Sequence, residues 1–127
     1  MDAGTDRSCL CHSDFNPKNL LVEPGTATIT GLVDWEFSHA GSPFTDLGNL
    51  LRFCTDEVLG GAAIGVVRRT GPGGDDPRLL TRARAADLWA VIDLAGRAGQ
   101  NPVADAALEL LRRTADTGEL AAGRPDF

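Results

Sequence analysis

Hydrophobic and polar positions divide the chain into a first part with short strand-like runs and a second part with helical periodicity. In the first part, apolar and β-branched runs at 20–22 and 28–33 flank Pro24 and Gly25. Two such runs around a Pro-Gly turn predict an antiparallel hairpin. Proline presets φ at the first central position of the turn, and glycine supplies the positive φ at the second. After the hairpin, the chain is expected to loop through Gly41.

Helical spacing of apolar residues is clearest in the second part, which is rich in Ala, Leu and Arg. Capping, proline and glycine signals predict helices at about 44–53, 76–98 and 101–118. The stretch 58–69 is also predicted to be helical, although it carries three glycines. Ser42 is expected to cap the first helix, and Gly99 to end the third. Trp89 lies on the apolar stripe of the third helix and is expected in the core. The pattern predicts a helix hairpin packed against a small β element.

Length and composition fit a single domain. The chain has 127 residues, of which 43% are hydrophobic and 24% charged, as is typical of a soluble globular protein with a modest core. No run of about 18 apolar residues is present, so no transmembrane helix is predicted. Residues 1–7 are polar and are expected to be disordered, and they lack the basic start and apolar run of a secretory signal.

Net charge and cysteine content indicate which binding partners and which cellular compartment are expected. The net charge of −6 argues against nucleic acid and anionic membranes as partners. The odd number of cysteines (Cys9, Cys11 and Cys54) does not suit a disulfide framework, so a reducing, cytoplasmic location is predicted. A zinc site at Cys9, Cys11 and His12 is disfavoured, because these residues are too crowded for structural zinc ligands and no second pair follows.

Three polar residues are predicted to meet at the open end of the hairpin. Asn19 enters its first strand and Asp34 leaves its second, and the midpoint between them falls at Thr26 and Ala27, next to the turn. Antiparallel pairing should therefore bring the two side chains together. An amide oxygen and a carboxylate are hard oxygen ligands that suit Mg²⁺. Asp14 lies five residues before Asn19 and would add a base, a combination that suggests phosphoryl transfer.

This constellation resembles the catalytic core of the aminoglycoside phosphotransferase and choline kinase family. Members of that family are small-molecule kinases that share the protein-kinase fold. The resemblance extends over about 9–118, and its pattern consists of His12, Asp14 and Asn19, followed by Val33, Asp34 and Trp35.

The resemblance implies a role for five residues. Asp14 would be the catalytic base that accepts the proton of a small-molecule hydroxyl and orients it towards the γ-phosphate of ATP. Asn19 and Asp34 would hold Mg²⁺ on the phosphates of ATP, the co-substrate. His12 would support the catalytic loop through hydrogen bonds from its ring to the backbone. Asp46 would be a buried acid bonded to the backbone near that loop.

The resemblance also implies an α+β, protein-kinase-like fold, of which this chain is a large-lobe fragment. A catalytic-loop hairpin would pack against a helical C-terminal subdomain, and residues 8–127 would form a partial phosphotransferase domain. The glycine-rich loop, strand lysine and helix glutamate of the ATP-clamping lobe have no counterpart before Cys9. The chain alone is therefore expected to be weak or inactive as a kinase. The surface left by that lobe is expected to be apolar and to permit self-association.

Two other functions are consistent with the same residues. A non-catalytic remnant or interaction module would keep the pattern by descent alone. A metal-dependent phosphohydrolase would use His12, Asp14 and Asp34, although such a site usually contains more histidines than the two of this chain.

Two positions near the candidate site are also singled out. Ser13 stands where glycine is usual in the family, and His39 is either a loop residue or part of a substrate pocket.

Overall fold

The computed structural model describes residues 7–127 and shows a mixed α+β fold. Four short strands precede four helices in this part of the chain. Of the segment 1–7 that is predicted to be disordered, all but Arg7 lies outside the described residues. The α+β class is therefore as predicted.

The predicted hairpin is present, as strands β2 (Leu20–Val22) and β3 (Ile29–Leu32) in antiparallel pairing. Gly25 in its turn has the expected positive φ, +93°. A bulge shifts the register at the end of β2, where Val22 faces Ile29. The hairpin prediction is thus confirmed in its position and its turn.

The register at the open end of the hairpin differs by one residue from the predicted pairing. Leu20 faces Leu32, and the N–H of Val33 donates to the carbonyl of Asn19 at 2.9 Å. Asn19 therefore pairs with Val33 instead of Asp34. Next to the turn, Val22 faces Ile29, so the ladder is centred between Gly25 and Thr26, one position before the predicted midpoint. The bulge recovers only part of this offset.

A second ladder pairs β1 (Cys9–Cys11) with β4 (His39–Gly41), which the sequence pattern predicts as a loop. Cys11 faces His39 across the ladder, and its thiol donates to the carbonyl of Ser42 at 3.2 Å. The His-Ala-Gly segment has no alternating apolar pattern of its own, so its strand conformation depends on the partner strand.

The helices are α1 (Thr45–Leu51), α2 (Glu57–Thr70), α3 (Leu79–Ala95) and α4 (Pro102–Thr117). All four were predicted, although α1 begins after Phe44 without a side-chain cap, and Gly96 instead of Gly99 follows α3. Between residues 7 and 127, no helix has both the length and the apolar character needed to cross a membrane.

Helix α3 joins the two parts of the hydrophobic core. One cluster packs α1 and α2 against the start of α3, and the other packs α4 against its end. The buried side of α3 also carries Arg84 and Asp87. Trp89 lies on the opposite side and is 53% exposed, so the prediction that it is a core residue is wrong. The buried side of α3 combines small and apolar residues with Asp87, which turns Trp89 and Ile92 towards solvent.

Candidate active site

Asp14 lies half-buried in the loop between β1 and β2 (residues 12–19), hereafter the β1–β2 loop. Its Oδ2 accepts a hydrogen bond from Asn19 Nδ2 at 3.0 Å, and its Oδ1 accepts one from Asn16 Nδ2 at 2.9 Å. The same two amide groups also donate to the Asp14 carbonyl, at 2.8 and 2.9 Å. These four bonds hold the carboxylate in one orientation. The structure therefore brings Asp14 and Asn19 into direct contact.

Asn19 is buried at the end of a short 3-10 turn, Pro17–Asn19. Asn16 caps this turn by accepting the Lys18 N–H on its Oδ1 at 3.0 Å, and Pro17 supplies a first residue with the appropriate φ. Because Asp14 offers only acceptors to Asn19, the amide nitrogen must face it. The Asn19 oxygen is consequently directed elsewhere, and it accepts no hydrogen bond among residues 7–127.

The buried ring of His12 connects Asp14 to the strand that leads to Asp34. Its Nδ1 accepts the Asp14 backbone N–H at 3.2 Å, and its Nε2 lies 2.8 Å from the Val33 carbonyl. Because Nδ1 accepts the Asp14 N–H, it carries no proton of its own. The ring proton is therefore on Nε2, which donates it to the Val33 carbonyl. Both ring nitrogens are therefore occupied by the backbone. His12 cannot act as a metal ligand or as a base in this arrangement, which weakens the phosphohydrolase hypothesis.

Asp34 follows Val33 with its side chain exposed to solvent. Its φ of +65° lies in the left-handed region, which short polar residues such as Asp tolerate better than most. The next residue closes this turn, since Trp35 Nε1 donates to the Leu32 carbonyl at 2.8 Å and its ring meets His12 edge-on at 4.7 Å. The carboxylate is thus carried on a turn that the Trp35 side chain holds against the β1–β2 loop.

Asp46, in the first turn of α1, holds the start of the β1–β2 loop. Its Oδ2 accepts the N–H of His12 at 2.9 Å, and its Oδ1 accepts the N–H of Ser13 at 2.8 Å. The residue is half-buried instead of fully buried, but its bonding to the backbone is as expected. Ser13 has a φ of +70°, which explains why glycine would suit this position. Its hydroxyl contacts His39 Nδ1 at 2.9 Å, which places His39 beside the loop.

A polar network that the sequence analysis missed supports the loop from α1 and α3. Asn49 Oδ1 accepts the Phe15 N–H at 3.2 Å, and its Nδ2 donates to Asp87 Oδ1 at 2.7 Å. Asp87, only 1% exposed, also receives Arg52 Nε and Nη2 at 2.8 and 2.6 Å. The signal available in the sequence was the spacing of Asp46 and Asn49, which places both on one side of α1.

The donor atoms present fit a magnesium ion better than zinc. Within residues 7–127, no group of three or more His, Cys, Asp or Glu side chains could hold a metal ion. Burial, followed by the neighbouring Cys9 and Asp46, raises the pKa of the Cys11 thiol to about 11, so this thiol does not readily become a zinc ligand. The Asn19 oxygen and the exposed Asp34 carboxylate are hard donors, and Mg²⁺ needs only one or two protein ligands beside phosphates and water.

Curated proteins are similar in sequence to about a third of this chain. Acyl-CoA dehydrogenase family member 11 of Mus musculus is 40% identical over 45 residues, which cover 35% of this chain and 6% of that protein. Family member 10 of Mus musculus is 42% identical over 41 residues, which cover 32% of this chain and 4% of that protein. The chain thus matches only a small part of the length of these curated relatives. No solved structure matches the chain.

A family comparison covers a larger part of the chain than these pairwise matches. The sequence model of the phosphotransferase enzyme family, APH, matches residues 1–80. This range includes the β1–β2 loop, both hairpin strands and the Asp34 turn, and it covers more than half of the 127 residues. The chain therefore belongs to the phosphotransferase enzyme family.

Proposed function

We propose that this chain carries the phosphoryl-transfer site of a small-molecule kinase, which moves the γ-phosphate of ATP to a hydroxyl group. The observation that carries this proposal is the position of Asp14. Its carboxylate is oriented by the amide groups of Asn16 and Asn19, and its backbone is joined through His12 to the strand that precedes Asp34. The candidate base and the candidate metal ligand Asn19 are thereby hydrogen-bonded to each other, and the second candidate ligand, Asp34, directly follows the residue that accepts from His12.

Asp14 is proposed to bind and orient the acceptor hydroxyl. The substrate oxygen forms a bond to the γ-phosphorus while the bond from that phosphorus to the bridging oxygen of ADP breaks. The hydroxyl proton passes to the Asp14 carboxylate and then to solvent. In a loose transition state the orientation of the hydroxyl contributes more than proton removal, so the two amide donors that restrain the carboxylate would increase the rate.

Asn19 and Asp34 are proposed as the residues that hold Mg²⁺ with the ATP phosphates. The ion would supply positive charge that offsets the charge of the phosphate oxygens. The contact between Asn19 Nδ2 and Asp14 supports this role, because it leaves the amide oxygen for the ion. Asp34 contributes an exposed carboxylate on the next turn.

Residues 8–127 are proposed to form a partial phosphotransferase domain with the arrangement of a kinase large lobe. Support comes from the way in which α1 holds the β1–β2 loop through Asp46 and Asn49. The strands and the turns beside them also expose large apolar side chains to solvent, namely Leu10, Leu21, Val22, Ile29, Val33, Trp35 and Phe37. This exposed surface supports contact with further polypeptide or self-association of the chain.

Calorimetric titration of Mg²⁺·ATP into the purified chain tests the nucleotide site. We expect saturable binding that requires Mg²⁺ and weakens at least tenfold in Asp34→Ala. Asp93→Ala is the matched control, since Asp93 is an exposed carboxylate on α3 and forms an ion pair with the similarly exposed Arg97. Unchanged affinity in Asp34→Ala would remove Asp34 from the proposed metal site.

Phosphate transfer to a panel of hydroxyl compounds tests the role of Asp14. The wild-type chain alone is expected to show at most weak transfer. Asp14→Asn preserves the size of the side chain but removes the carboxylate, so we expect it to retain Mg²⁺·ATP binding and to lose this weak transfer. A folded, monomeric wild-type chain that binds no Mg²⁺·ATP would instead support a non-catalytic remnant. Light scattering on the same samples detects self-association, and circular dichroism verifies folding.

A further inference from the structure

A small groove of about 220 Å³ lies away from the β1–β2 loop, between the segment that follows α1, helix α4 and the C-terminal segment 119–127. Apolar side chains of Phe53, Leu110 and Pro125 line part of it. Three arginines, Arg52, Arg113 and Arg124, line it as well. Most of these residues lie beyond residue 80, outside the range of the family match. The groove is therefore a feature of this chain that the proposed kinase site does not use.

The arginines of the groove differ in how their charges are compensated. Arg52 makes a bidentate pair with buried Asp87, and Arg113 pairs with Glu109 at 2.9 Å. Arg124 takes part in none of the ion pairs found between residues 7 and 127. Its Nη2 donates only to the Arg52 carbonyl at 3.4 Å, and its Nε is buried without a hydrogen-bond partner in the described part of the chain.

A second arginine adds positive charge behind Arg124. Arg84 is 6% exposed and donates to the Pro125 carbonyl, and it too is absent from the ion pairs of residues 7–127. Burial lowers the pKa of Arg124, and the charges of Arg84 and Arg52 lower it further, against the opposing effect of Asp87. Two carboxylates oppose these charges: Asp87, which already pairs with Arg52, acts on Arg124, and Asp126 acts on Arg84. Arg124 is half-buried, and its Nε has no hydrogen-bond partner in the described part of the chain. An anion placed beside Arg124 would offset the cost of this incompletely compensated charge.

We propose that this groove binds a small ligand with an anionic group, a phosphate or a carboxylate, on the Arg124 guanidinium. The planar guanidinium can donate two parallel hydrogen bonds to either group. A short apolar body of the ligand would pack against Phe53, Leu110 and Pro125. The groove is smaller than the pockets that hold drug-sized ligands, so its occupant has the size of phenyl phosphate and not of a nucleotide.

Titration with phenyl phosphate and with benzoate, without Mg²⁺, tests the site and distinguishes the two anionic groups. We expect saturable one-to-one binding of at least one probe, and the tighter of the two identifies the preferred group. Binding should weaken at least tenfold in Arg124→Gln. Arg97→Gln, which removes an exposed arginine that does not line the groove, should bind as the wild type does. Backbone amide shifts of residues 53–55 and 124 in the wild-type chain should locate the probe.

Several outcomes would overturn the proposal. These are the absence of saturation by both probes in a folded wild-type chain, equal affinity in Arg124→Gln, and amide shifts outside the groove. If Arg124→Gln does not fold, as judged by circular dichroism, the wild-type titration and the amide shifts still show whether the groove binds the probe. The result is separable from the proposed kinase function, because Asp34→Ala should retain probe binding in the groove.

Discussion

The side-chain amide of Asn49 donates a hydrogen bond of 2.7 Å to the buried carboxylate of Asp87, and this bond joins α1 to α3. The oxygen of the same amide accepts the N–H of Phe15, the residue after Asp14. The loop that carries the candidate base is therefore supported by a helix that begins 60 residues after the loop ends at Asn19. Residues remote in sequence consequently contribute to the geometry around Asp14.

Asp87→Ala should destabilise the fold strongly. The substitution removes both acceptors of the Arg52 guanidinium and leaves a cation that is 15% exposed beside Arg84 and Arg124. We expect a loss of about 3–5 kcal/mol in the free energy of unfolding, measured with urea. Asp93→Ala removes an exposed carboxylate from the same helix and should cost less than about 1 kcal/mol. Similar losses in the two variants would contradict the structural role of the Asn49–Asp87–Arg52 network.

Ser13→Gly should be more stable than Ser13→Ala. Both substitutions remove the hydroxyl contact with His39, but only glycine relieves the positive φ of +70°. The left-handed conformation costs an L-residue about 1–2 kcal/mol, so we expect the free energies of unfolding to differ by about that amount. Thermal unfolding of the two variants measures the difference. An alanine variant that equals or exceeds the glycine variant would show that residue 13 is not held in this conformation.

Two glycine substitutions in helices should have effects of opposite sign. A Cβ on Gly48 of α1 would overlap the backbone carbonyl of Ala83, because α1 and α3 approach closely there. Gly48→Ala should therefore destabilise the protein by about 1–3 kcal/mol. A Cβ on Gly61 of α2 would meet nothing within 4 Å, and Gly61→Ala should stabilise the protein by about 0.5–1 kcal/mol through helix propensity. Chemical denaturation compares both variants with the wild type, and a destabilised Gly61→Ala would count against the described packing.

The Cys11 thiol should make stability fall at alkaline pH. Burial raises its pKa from 9.0 to about 11 in the folded protein. Between these values the unfolded chain binds fewer protons at this position than the native chain, so stability decreases as pH rises from about 9 towards 11. Urea unfolding at a series of pH values measures this decrease. Cys11→Ala should show a smaller decrease over the same interval, and an identical pH profile would show that the thiol does not contribute.

Signals that act within a few residues account for most of the predicted elements. Pro24 and Gly25 define the hairpin turn, and Asn101 and Gly118 define the two ends of α4. Each of these residues acts on its own backbone or on an amide one turn away, so its effect can be recognised without knowledge of the rest of the fold. The pattern of His12, Asp14, Asn19 and Asp34 was sufficient in the same way to indicate the family, which the comparison confirms.

Features that depend on distant partners were missed or displaced. Strand β4 exists because it pairs with Cys9–Cys11, about 30 residues earlier. The hairpin is centred one position earlier than predicted, so that Asn19 pairs with Val33 instead of Asp34 despite the bulge. Trp89 lies outside the core because the side of α3 that faces α1 is occupied by Asp87 and its hydrogen bonds. Periodicity identifies an apolar stripe, but it does not reveal a buried ion pair that takes its place.

The residues that give the candidate site its chemistry are thus encoded locally, whereas the hydrogen bonds that hold them in place depend on distant parts of the chain. The identities and spacing of Asp14, Asn19 and Asp34 are local properties of the chain, readable from 21 consecutive residues, 14–34. Their support comes from Asp46 and Asn49, which reach the β1–β2 loop across 33 or 34 residues. Hydrogen bonds of that range require α1 to lie beside the loop, and α1 is held by its packing against α3 in a core to which many side chains contribute at once. No single spacing in the chain encodes such burial.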